Sequence, residues 1–108
     1  MLYRVVITTN AKNNLRDYYA RAALAAPSTA DRWLSRFESA LESLSRHPER
    51  CGLAPENDAV APVIRQLHFG RGVSIFRVLF TIREDEVQIL HIRRGAMLTA
   101  DAADVFAE

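Results

Sequence analysis

The residues best equipped for chemistry lie in the last half of the chain. Arg65, His68, Arg77, His91, Arg93 and Arg94 are set among apolar residues in runs that alternate at a period of two. A guanidinium in such a setting does two things well. It holds a carboxylate or a phosphate through paired N–H donors. It also stabilises the charge that builds on phosphorus during RNA cleavage, where a histidine can move the proton. The competing reading is internal: the same arginines stack on a sheet and pair with acids of their own chain. The residues alone leave both open.

Charge supports no broad nucleic-acid reading, since the net value is only +1. Its distribution is more specific. Lys12 is the only lysine among 14 basic residues. Residues 63–94 carry six arginines against three acids, Glu84, Asp85 and Glu86, which cluster at one point. Arginine in that excess reflects genomic bias and solubility, or a surface that meets carboxylates and phosphates.

Other chemistries find little support. His47, His68 and His91 lack ligand spacing, so neither a metal nor another cofactor is expected. Cys51 is the only cysteine, which excludes an internal disulfide, fits a reducing compartment and reads as an idle thiol. No serine sits in a nucleophile elbow, and Gly70-Arg71-Gly72 is a turn rather than a phosphate cradle. No signal-peptide pattern opens the chain and no apolar run reaches membrane-spanning length, so the expectation is a cytoplasmic protein without a membrane partner.

The elements that must position these residues can be read from periodicity. Leu2 to Thr8 is rich in β-branched residues and reads as a strand covered on both faces. From about Asn10, Leu15, Tyr18, Tyr19 and Ala22 form a helical stripe, ended by Pro27. Ser28 and Asp31 approximate a capping box for a second helix, with Ala30, Trp33, Leu34, Phe37, Leu41 and Leu44 on one face. Glu42 and Arg46 are spaced for an ion pair on its other face, and Pro48 stops it. Trp33, Phe37 and the tyrosines read as core. Pro48 to Pro62 is an ordered loop with extended pieces.

Strands follow at Ile64–Phe69, Val73–Arg83 and Val87–Arg94, with Gly95 ending the last. Phe76, Val78, Phe80 and Ile82 share the face that the helices cover, and Arg77 projects from the opposite, open face. If Leu90 and Ile92 also point to the helices, His91 and Arg93 join Arg77, with Arg94 replacing Arg93 in the alternative register. The expected fold is one α+β domain over 1–108. Its order is β-α-α-β-β-β: a mostly antiparallel four-stranded sheet with a two-helix hairpin packed on one face.

Several segments together resemble the RelE/ParE toxin superfamily of type II toxin–antitoxin systems, also called plasmid stabilisation proteins. They are Tyr3-Arg4-Val5-Val6-Ile7-Thr8, the run from Ala30-Asp31-Arg32-Trp33-Leu34 to His47-Pro48-Glu49-Arg50-Cys51-Gly52-Leu53-Ala54-Pro55-Glu56, Ile64-Arg65-Gln66-Leu67, Phe76-Arg77-Val78-Leu79-Phe80, and Val87 through Arg94-Gly95-Ala96. The resemblance covers nearly the whole chain. It implies a small cytoplasmic bacterial toxin neutralised by a cognate antitoxin, with DNA gyrase as the target of ParE-like members and messenger RNA in the ribosome as that of RelE-like ones.

In the RelE-like pattern Arg77 matches one catalytic arginine. Met97 stands where a second arginine is expected and Phe106 where a tyrosine hydroxyl is wanted. The second strand offers Arg65 and His68 but no lysine. These departures favour a ParE-like toxin that acts by binding gyrase over an enzyme. The alternatives are a ribosome-dependent endoribonuclease using Arg77 with His68 or His91, or a non-toxic relative that keeps only antitoxin binding. Arg65, Arg77, His91, Arg93 and Arg94 are the candidate binding residues for antitoxin or target, with Arg65, Arg77 and Arg93 expected inside the antitoxin contact.

Overall fold

The computed structural model describes residues 2–59, 63–95 and 105. Strand β1 (Arg4–Ile7) leads into helices α1 (Thr9–Ala25) and α2 (Pro27–Glu42), and strands β2 (Arg65–Phe69), β3 (Phe76–Arg83) and β4 (Glu86–Arg94) follow. The sheet order is β1-β4-β3-β2. Short turns join β2, β3 and β4, so they pair antiparallel, whereas the helical hairpin lets β1 lie parallel to β4. This is the expected α+β order. The strand register puts Phe76, Val78 and Phe80 toward the helices, in one core with Phe37, Leu41, Val87, Ile89 and Ile92.

Strand β1 departs from expectation. Among the described residues its one strand neighbour is β4, its residues alternate, and Val6 is exposed rather than covered on both faces. The expected capping box is also absent. Pro27 occupies the first turn of α2, where its missing N–H loses no bond, and no side chain caps this end. Asp31 instead accepts the Tyr19 hydroxyl and ties the two helices together. The Glu42–Arg46 pair does not form, because the chain tightens into a 3-10 turn at Ser43–Ser45. Arg50 closes that region: its guanidinium donates to the carbonyls of Arg46 (2.6 Å) and His47 (3.1 Å), and His47 takes a left-handed φ of 45°.

A bulge in the central pair sets the faces of β4. Leu79 lies opposite His91 and Phe80 opposite Ile89, leaving Leu90 as the extra residue. Ile92 faces the helices as expected, but Leu90 packs on the other face beside Leu79, and Ile89 takes its place on the helix side. Backbone groups around the bulge find partners on α1. The Asn10 amide donates to the Leu90 carbonyl (2.8 Å), and the Ile92 N–H donates to Asn14 Oδ1 (3.0 Å). At the end of β4, Gly95 donates to the Ile75 carbonyl at 2.7 Å, and a Cβ there would lie 2.5 Å from the Ile75 side chain.

The second face of the sheet is not open. Ala54, Ile64, Leu79, Leu90 and Val105 form a separate buried cluster on it. The loop after α2 reaches this face through Ala54 and, with Glu56, through the 3-10 turn at Pro55–Ala59, and Leu53 bridges to Arg65.

Candidate functional site

Arg77 is the centre of the second face. It sits on β3 between His68 of β2 and Arg93 of β4 in the strand register. The expectation of an exposed guanidinium is wrong: Arg77 is buried, and Glu56 is completely so. The two side chains meet fork to fork, Nη1 on Oε1 at 2.9 Å and Nη2 on Oε2 at 2.8 Å. Nη1 also donates to Gln66 Oε1 at 3.1 Å. Paired parallel bonds of this kind are the strongest form of the arginine–carboxylate contact. The competing internal reading of the arginines is therefore the one that holds at Arg77.

The other expected residues divide. His91 and Arg93 share the face of Arg77, with Arg93 Nη1 3.4 Å from His91 Nε2, and the Asn10 amide lies 3.2 Å from His91 Nδ1. Arg65 is drawn away from them, donating to the carbonyl of Cys51 at 2.7 Å. Arg94 lies opposite Phe76 and faces the helix side of the sheet. Cys51 is buried, which pushes its thiol up from the ordinary value, and Arg50 and Arg65 offset this only in part. That is the opposite of an activated nucleophile. The positions of Met97 and Phe106 lie outside the described residues.

The sequence reading gave Glu56 no role beyond its place at the end of a segment that carries the resemblance. It is a single acid in a proline-bearing loop, 21 residues from Arg77, and no local spacing connects the two. The reading also missed a groove on the opposite side of the sheet. That groove, of about 500 Å³, runs between the helical hairpin and the ends of β3 and β4. Tyr18, Trp33 and Phe76 form its aromatic lining, with Arg21 and Arg94 also along it and no carboxylate among the described lining residues. Trp33 is thus not simply core. It is half-buried, packs on Phe37 and Phe76 at 5.2 and 5.4 Å, and also lines the groove. Arg21 lies over the Tyr18 ring at 5.8 Å.

Comparison with known proteins gives this geometry a family. The sequence model described as "ParE toxin of type II toxin-antitoxin system, parDE" matches residues 5–99. The chain belongs to the ParE toxin family. A search of curated proteins finds no match. Among solved structures, a chromosomal ParDE toxin–antitoxin system from P. aeruginosa matches with a TM-score of 0.69 at 21% identity, over 86% of this chain and 96% of that one. The RelBE2 toxin–antitoxin complex of Mycobacterium tuberculosis matches with a TM-score of 0.54 at 23% identity, over 90% and 95%. These likenesses establish the shared fold. No helix among the described residues is long and apolar enough to cross a membrane.

Proposed function

We propose that this ParE-family chain acts by binding and inhibiting DNA gyrase, and that a cognate antitoxin neutralises it. The family match over residues 5–99 carries the reading. The geometry of Arg77 supports a binding protein over a ribosome-dependent nuclease. Its guanidinium is taken up by Glu56 and Gln66, so it is not presented to a phosphate. His91, the candidate proton carrier on the same face, is buried.

The groove beside Trp33 is the proposed seat of the antitoxin. Its aromatic lining suits apolar anchors, and Arg21 and Arg94 suit acidic residues flanking them. Arg94 is then the member of the original set that meets the antitoxin, in place of Arg65, Arg77 and Arg93 as a group. Supercoiling by purified gyrase should fall as this protein is added, and recover when the antitoxin is supplied. Induction should leave bulk messenger RNA uncut. Unimpaired supercoiling at saturating protein, or new cuts in translated messages that vanish in Arg77→Ala, would overturn the gyrase reading. Ala22→Trp, which fills the groove, should weaken antitoxin binding; unchanged affinity would place the antitoxin elsewhere.

A further inference from the structure

Strand β1 ends the sheet beside β4, and part of its outer edge is left open. The backbone N–H groups of Arg4 and Thr8 donate to the carbonyls of Asp85 (2.8 Å) and Ile89 (3.1 Å), so alternate residues of the strand are directed at β4. Tyr3, Val5 and Ile7 therefore direct their N–H and C=O groups outward. The Tyr3 N–H is taken by the Ser45 carbonyl at 2.8 Å. Val5 and Ile7 have no backbone partner on that side among the described residues. Their side chains pack on the helix-side core. Val6, between them, points to the other face and is exposed.

We propose that β1 pairs antiparallel with β1 of a second copy of this chain, joining two four-stranded sheets into one. The occupant follows from the strand's own order. A two-fold axis at Val6 sets Val5 opposite the partner's Ile7 and Ile7 opposite the partner's Val5. Each free N–H and C=O then meets its complement. Val6 faces the partner's Val6 at a non-hydrogen-bonded position, where side chains lie closest, so each exposed valine covers the other. Charge agrees with this register. Arg4 falls opposite the partner's Thr8 rather than a second arginine, and its guanidinium already has Glu86 at 3.1 Å and Asp85 at 3.8 Å. Neighbouring two-fold registers fit less well. An axis at Val5 needs Tyr3, which Ser45 holds, and one at Ile7 needs Thr9, where α1 begins. No described residue lining the groove beside Trp33 belongs to β1, so the inference stands independently of the gyrase and antitoxin readings.

So short a pairing falls among weak, transient contacts of less than about 1,200 Å², and cross-linking reads it better than elution volume. Residues opposed at a non-hydrogen-bonded position have Cα atoms about 4.5 Å apart, within reach of a disulfide. The native Cys51 is buried, so the wild type is the background. Val6→Cys oxidised with diamide should form a disulfide-linked dimer. Arg4→Cys, at an equally exposed position that the register keeps apart from its own copy, should stay monomeric. Sedimentation of the wild type should show a dimer growing with concentration. Val6→Lys, which opposes like charges, should weaken that association about tenfold. Equal cross-linking at Arg4 and Val6 would mean random collision and overturn the register. A wild type that stays monomeric at every concentration, with no disulfide at Val6→Cys, would overturn the dimer and leave this edge to a strand from another protein.

Discussion

The two faces of this sheet are held in different ways. On the helix side, Phe76, Val78 and Phe80 meet Phe37, Leu41 and Leu44 in a dry cluster that needs no particular partner for any one atom. On the other side, the centre is an ion pair whose value depends on a single distant residue. The first arrangement tolerates approximate matching, because apolar contact is non-directional. The second tolerates none: the pair adds little relative to apolar replacements, yet breaking it is severe. Substitutions should separate these two behaviours.

The largest loss should come from Phe37→Ala. Phe37 is fully buried and contacts the rings of Trp33, Phe69 and Phe76. Its truncation leaves a cavity that costs about 3–5 kcal/mol, read from denaturant unfolding. No single second substitution nearby should restore it. A loss below about 1 kcal/mol would mean that the core collapses freely around the void, against its close packing.

Arg77→Met should be nearly as damaging, about 3–5 kcal/mol, because it leaves the Glu56 carboxylate buried without its partner. Here the second face should behave unlike the first. Glu56→Leu combined with Arg77→Met should recover most of the loss, since neither charge is then stranded. If the double variant is as unstable as the sum of the singles, the two side chains are not coupled and the contrast between the faces disappears.

A smaller effect tests the seam between them. Asn10→Ala removes the amide that meets the Leu90 carbonyl at the bulge, which should cost about 1 kcal/mol, since the Thr8 hydroxyl still donates to that carbonyl from 3.4 Å. The same bulge explains what was legible in the sequence. Alternation assigned Arg77 and Phe80 to opposite faces, because β3 keeps a strict period of two. It failed at Leu90, because an extra residue in β4 shifts the period and only the alignment with β3 reveals it. Element order was readable since Pro27, Gly95 and the apolar stripes act locally. Glu56 was not, since its role is fixed by the way a loop folds back over the sheet. The groove was equally hidden: Trp33 has the spacing of a core residue, and nothing in that spacing shows that part of its ring lacks a covering layer.

The smallest expected effect lies outside both faces, at the bond from the Tyr3 hydroxyl to Glu49 Oε2 (3.1 Å), which ties the chain just before β1 to the Pro48–Arg50 turn. Glu49 is held below its ordinary 4.5, first by its own backbone N–H and then by Tyr3, His47 and Arg65 against some desolvation. Its contribution is therefore complete above 4.5 and fades as pH falls through the lowered folded value. Tyr3 is raised above 10.0, chiefly because its hydroxyl donates to the Glu49 carboxylate. Its contribution is complete below 10.0 and is lost as pH rises through the raised value. One bond thus has an acid limb and an alkaline limb. Tyr3→Phe should flatten the alkaline limb of a melting-temperature profile while only softening the acid one, since the backbone N–H of Glu49 remains. The bond lies at the surface, although the Tyr3 ring is partly buried against the core, so the change should be slight beside those at Phe37 and Arg77. An acid limb abolished outright by Tyr3→Phe would show that the hydroxyl, and not the backbone, sets the Glu49 titration.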